Sequence, residues 1–273
     1  MAGCIFNMRS ALFAVVLVAF VICALSIVPA HAACGPVTSE TVEISAIAPD
    51  GTLTLKDGRA LRLVTLEPPV HSQALAQWTK IISDKARGPV ALHPAAKSKD
   101  RYGRLQGLVR LRAGGLLEAQ LVSAGWARVH PRADMRDCVS ALLALEDEAR
   151  AGGRGLWRLP EYSLIGANNM DALYAREGTF VLAEGVVRDA VYRGGRLYLN
   201  FGADWKTDFT VTVAPADVKL FTDMRFSAKP GERLKVIGER VRVRGFLTRY
   251  NGPELILTCP EQLEFLGQGP VEE

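Results

Sequence analysis

The sequence is poor in the residues that build the commonest metal and nucleophile sites. Of 273 residues only 4 are histidine and 5 are cysteine, and no two cysteines stand in a CxxC spacing. A zinc cluster, which needs paired ligands close together, therefore has no support. His71, His93 and His130 are scattered singly, so neither a histidine metal site nor a Ser/His/Asp triad is indicated. Charge of one sign is also scarce. The formal net charge is +4, which is compatible with a polyanion ligand but is no argument for one.

What is present begins with a leader. Arg9 is the only charge in the first 32 residues, the run 12–28 is apolar apart from Ser26, and Ala30-His31-Ala32 offers the small residues that signal peptidase reads. Residues 1–32 read as a signal peptide and the chain as exported, periplasmic or secreted. The run is long, so an uncleaved leader serving as a membrane anchor is the alternative. His31 stands three residues before Cys34, where a lipobox wants Leu or Val, which argues against lipidation. Export leaves Cys34, Cys138 and Cys259 in an oxidising compartment, with one bridge and one spare thiol. Cys34 with Cys138 is the favoured bridge, because each flanks a segment of the first domain while Cys259 falls on a predicted strand of the second.

Beyond the leader the pattern alternates. Residues 42–64, "VEISAIAPDGTLTLKDGRALRLV", give three short strands broken by Pro49-Asp50-Gly51 and by Lys56-Asp57-Gly58, both hairpin turns. After Pro68-Pro69 the period becomes helical, with Leu75, Trp78, Ile81 and Ile82 recurring up to Gly88-Pro89. A fourth strand near 90–93 and a fifth at 105–111 bracket "PAAKSKDRYGR", and helices follow at about 116–124 and 138–151. The expected fold class is α+β, mainly β: an OB-type five-stranded barrel with three helices over 40–160. Residues 161–178 read as a linker with one helical turn. Strands resume across 179–267, with a helical stretch at about 215–226, and predict a second, OB-like β-barrel.

Four stretches in order resemble the thermonuclease (staphylococcal-nuclease-like) family: "APDGTLTL" with "LRLVTLEPP", "DRYGRLQGLV", "LVSAGWARV" and "EDEARAGGRGLW". The second domain looks like the OB-like module appended to some exported bacterial members. The resemblance implies calcium-dependent hydrolysis of nucleic-acid phosphodiesters. Such a reaction uses carboxylates for the cation, two arginines for the developing phosphate charge and a glutamate for the attacking water. By resemblance Arg62 and Arg104 are the phosphate-binding arginines, and a guanidinium suits that work because it grips phosphate oxygens in a fork.

The acidic parts depart from the pattern. Glu67 stands at one metal-binding aspartate, Pro68 at the threonine that lends its carbonyl to calcium, and Val70 at the general base. The other metal-binding aspartate falls on Gly51, with Asp50 one residue away. Loss of a positioned base costs roughly 10²- to 10⁴-fold in rate. The favoured expectation is an exported protein with a degraded catalytic site that binds nucleic acid or another polyanion. One alternative is an active calcium-dependent nuclease in which Asp50, Glu67 and Asp100 regroup around the cation; another is an envelope protein-interaction scaffold. Oligomeric state is not indicated. Each residue also has a structural reading: Glu67 as a turn acid, and Arg104 as the partner of Asp100 or Glu67. Arg240, Arg242 and Arg244 would form either a polyanion track or a solvated strand face. Tyr192, Tyr198, Phe201, Trp205 and Phe209 would either stack bases or, for most of them, fill the core.

Overall fold

The computed structural model describes residues 39–227 and 233–268; the leader and Cys34 lie outside the described residues. Two hairpin turns fold the first strands onto one another: β1 (Glu40–Ile47), β2 (Leu53–Leu55) and β3 (Ala60–Leu63). Gly51 and Gly58 take φ of 77° and 86° in the two turns, a region only glycine enters freely. A two-residue strand, β4 (Leu66–Glu67), leads through Pro68-Pro69 into α1 (Ser72–Lys85), which buries Ala74, Trp78 and Ile82. Then come β5 (Pro89–Lys99), β6 (Leu105–Arg110), α2 (Leu117–Ser123), β7 (Arg128–Val129) and α3 (Arg136–Ala151). The barrel closes in the order β1-β2-β3-β6-β5, with β3 and β6 parallel. Its interior is packed by Leu53, Leu55, Leu61, Leu92 and Val109, with Trp78 and Leu121 from the helices. The expected five strands and three helices are thus present. The fourth strand, however, runs on to Lys99 instead of ending at His93, across an irregular register between Pro94 and Lys99.

The second half differs more from expectation. Segment 161–178, read as a linker, carries β8 (Ile165–Gly166) and α4 (Met170–Tyr174), the latter capped by the Asn169 side chain. Ile165, Ala167 and Leu173 pack into the second core, so this segment is part of that unit. The remaining strands are β9 (Phe180–Val186), β10 (Asp189–Arg193), β11 (Arg196–Asn200), β12 (Thr210–Val213), β13 (Glu239–Tyr250), β14 (Gly252–Leu257) and β15 (Leu263–Gln268). The path runs β10-β11-β12-β14-β13-β9-β8, with β15 on β13 and with β12 parallel to β14. At the β9–β10 bend, the Val187 amide bonds the Glu239 carbonyl toward β13 and the Arg188 amide bonds the Asn200 carbonyl toward β11. The chain thus passes directly from β9, paired with β13, to β10, paired with β11, and the second unit is a curved eight-stranded sheet, a half-barrel where the sequence predicts a full one. In place of a helix at 215–226 there are two 3-10 turns, Val218–Leu220 and Met224–Phe226. Asp223 interrupts the run by accepting the Arg225 amide on its own side chain, a local bond that competes with helix continuation.

Charge joins the two halves. Arg244 is fully buried and donates to Glu146 of α3, itself fully buried, at 2.5 Å, and also to Glu264. Beside it Arg242 bridges Asp147 (3.1 Å), Glu184 (2.8 Å) and Glu264 (3.1 Å). Arg240 pairs with Glu184 at 3.0 Å. Of the stripe expected to be a polyanion track or a solvated face, α3 covers Arg242 and Arg244, whereas Arg240 remains exposed. Cys138 at the start of α3 is disulfide-bonded, and Cys259 is free and buried.

Candidate nucleic-acid site

The turn between β1 and β2 presents Asp50, and β3 and the β5–β6 turn bring two guanidinium groups to it. Arg62 donates to the Asp50 carbonyl at 2.9 Å and stands 3.8 Å from its carboxylate. Arg104 donates to Asp50 Oδ2 at 3.1 Å and to Thr52 Oγ1 at 3.2 Å. The two predicted phosphate arginines thus converge on one residue, 42 positions apart in sequence, because β3 and β6 are adjacent and parallel. Asp100 holds Arg104 from behind, accepting from its Nε at 2.7 Å and from the Tyr102 and Arg104 amides at 2.9 Å each. The exposed Tyr102 ring lies under both Arg101 and Arg104, at 4.8 and 5.1 Å from their guanidinium carbons, a cation–π arrangement. Burial would raise the Asp50 pKa, but hydrogen bonds from Thr52 and the charges of Arg62 and Arg104 override it and hold the carboxyl below its ordinary value.

Glu67 stands apart from this group. It pairs with Arg128 across β4 and β7, and its side chain is only 12% exposed. Burial pushes its carboxyl up, against the opposing charges of Arg128 and Arg62. His130 Nδ1 is 3.8 Å from Glu67 Oε2. Burial, then the charges of Arg132, Arg62, Arg128 and Arg244, depress the imidazole pKa to about 4. His130 is therefore neutral near pH 7 and forms no ion pair with Glu67.

The residues present do not fit calcium. Such an ion asks for several free carboxylate oxygens on one centre. Asp50 and Asp100 both spend theirs on Arg104 and on neighbouring amides, and Glu67 faces Arg128 instead. Among the described residues no group of three acidic, histidine or cysteine side chains is placed to hold a metal. Gly51 and Pro68, which stand at two family metal positions by resemblance, are also packed against each other: a Cβ on Gly51 would lie 2.7 and 2.8 Å from Cβ and Cγ of Pro68. Val70, which the resemblance sets at the general-base position, is 73% exposed, and its amide donates to the Tyr162 hydroxyl at 3.2 Å.

Sequence reading does not single out Thr52, Arg128 or His130 as part of this neighbourhood. "WARVHPR" places Arg128 and His130 two apart on a strand, but nothing in the string says that β7 pairs with the strand bearing Glu67. Of the aromatics expected on the second sheet, Phe201 and Phe209 are core residues and Trp205 is 59% exposed, with the Lys206 ammonium 5.7 Å from its ring.

Residues 61–159 match the family described as Staphylococcal nuclease homologue. The match contains Arg62, Glu67 and Arg104 and begins after Asp50 and Gly51. No curated protein matches the chain. Residues 61–159 are thus similar to staphylococcal nuclease homologues, and the closed five-stranded barrel of which they form most is the OB-type fold of that family.

Proposed function

We propose that this protein is exported and binds the phosphodiester backbone of nucleic acid, or another polyanion, through Arg62 and Arg104, and that it has lost calcium-dependent hydrolysis. The observation that carries the reading is the convergence of the two guanidinium groups on Asp50, and the departures from the family's acidic pattern read from the sequence support the loss of hydrolysis. Two fixed guanidinium groups supply charge and geometry for phosphate oxygens. Asp50 now occupies them. A phosphate would take over hydrogen bonds that the turn carboxylate makes in the free protein, so binding is expected to be moderate and easily screened. Export rests on the leader read from the sequence.

The test is anisotropy of a labelled single-stranded oligonucleotide over a salt series. Log affinity should fall linearly with log salt concentration, the signature of counterion release, and the Arg62→Ala/Arg104→Ala variant should lose both affinity and slope. Binding indifferent to salt and to both substitutions would overturn the reading.

A further inference from the structure

The second domain reaches the neighbourhood of Glu67, beside the arginine group, through two rings, Phe180 and Phe246, both against His130. Phe246, on β13, is 45% exposed. Its ring lies 5.5 Å from Phe180, its cross-strand neighbour, and 5.8 Å from His130, both edge to face. His130 contacts Glu67, and the Arg62 charge acts on both. Aromatic surface from the second domain therefore reaches His130 and, through it, Glu67 of the first, where the Arg62 charge is felt.

The row extends along the sheet. Leu247 pairs with Leu255 and Thr248 with Glu254, and the next step of that register sets Ile256 beside Phe246. Leu247 and Leu255 point into the core, whereas Phe246, Thr248, Tyr250 and Ile256 are exposed, Tyr250 at 76% and Ile256 at 41%. Alternation along both strands puts these on the outer face. An apolar ring half-open to solvent and backed by two other rings suits a flat π-system, and the arginine charges that act on the neighbouring His130 favour one tethered to an anion. A single nucleic-acid strand has that chemistry, with bases stacking on aromatic side chains while phosphates engage arginine.

We propose that Phe246 is a base-stacking platform, so that the two domains form one composite site for single-stranded nucleic acid, with phosphate at Arg62 and Arg104 and a neighbouring base on Phe246. This rests on the nucleic-acid reading above. The site would accept any base, since every base has a π-face, and it would discriminate single from double strands, whose bases are already stacked.

The experiment compares a short labelled oligothymidylate with its abasic counterpart, which keeps phosphates and sugars but has no base, on the full chain. Wild type should prefer the base-bearing strand by at least about fivefold. Phe246→Ala should lose that preference and bind both strands as wild type binds the abasic one. Phe246→Leu retains apolar contact with Phe180 and His130 but has no π-face, and it should behave like the alanine variant. Phe246→Trp should keep or increase the preference. If the leucine variant retains the wild-type preference, or wild type binds both strands equally, the platform is refuted while the phosphate reading stands. If neither strand binds in a salt-dependent way, both fall.

Discussion

Gly51→Ala is the substitution that most sharply tests the packing of the β1–β2 turn against Pro68. A methyl group there would lie 2.7 Å from Pro68 Cβ and 2.8 Å from Cγ, where ordinary contact begins at 3.4 Å. A pyrrolidine ring cannot swing aside, so backbone must move. Overpacking of this kind costs about 1–3 kcal/mol. Holding a non-glycine residue at φ 77° adds about 1–2 kcal/mol. The expected total is about 2–5 kcal/mol, read from urea unfolding of Gly51→Ala against wild type. In a Pro68→Gly background the steric part should vanish and the left-handed part remain. The double-mutant cycle should then show a coupling of about 1–3 kcal/mol. Gly51→Asp, which would place an acid where the resemblance expects one, meets the same obstacle while Pro68 is in place. A cost below about 0.5 kcal/mol, or additive single effects, would refute this account.

Other expectations follow from the same groups. Arg244→Met leaves Glu146 buried and unpaired and should cost about 3–5 kcal/mol in denaturant unfolding; a loss under about 1 kcal/mol would contradict the buried pair. Glu118 is fully buried, accepts the Val109 amide, and burial raises its pKa to about 8. Between its ordinary value of 4.5 and 8 the native state holds a proton that the unfolded state releases. Stability should fall as pH rises through this window, by up to about 1.4 kcal/mol per unit, and Glu118→Gln should remove that slope. His130 acts with the opposite sign: with a folded pKa of about 4 against 6.5, its contribution is present above 6.5 and lost as pH falls toward 4. His130→Asn should flatten the acid side, and an unchanged acid limb would contradict its burial as the neutral form. Asp50→Asn removes an anion from between Arg62 and Arg104. It should tighten oligonucleotide binding by about fivefold at low salt, an effect that screening erodes as salt rises; weaker binding would mean Asp50 organises the arginines more than it competes with phosphate.

Much of the first domain is legible from local chemistry. Asp-Gly turns and alternation set the three-stranded meander, and the switch to a 3.6 period after Pro68-Pro69 sets α1. Arg62 and Arg104 are assignable to one site through the resemblance alone, since the β3–β6 adjacency that joins them is a long-range pairing. What stayed hidden depends on contacts between distant segments. The Gly51–Pro68 packing joins residues 17 apart, and neither string betrays the other. Arg242 and Arg244 alternate with valines as solvated residues would, since period 2 reveals a face but not what covers it. Their burial is decided by α3, nearly 100 residues earlier, whose Glu146 and Asp147 supply the counter-charges. For Glu67 the position is readable, whereas its burial beside Arg128 depends on the two-residue strand β7, too short to leave a pattern. Segment 161–178 looks like a linker because its polar turn residues outnumber Ile165, Ala167 and Leu173, the three that anchor it in the second core.

The most direct test of the central claim puts binding and cleavage in one sample. A labelled single-stranded oligonucleotide is incubated with the full chain, with calcium or with chelator, and anisotropy and strand length are followed together. The account predicts salt-sensitive binding that needs Arg62 and Arg104, with the strand intact in both conditions. Cleavage that requires calcium and disappears in Arg104→Ala would contradict it, and would mean that a working cation site assembles on the bound strand.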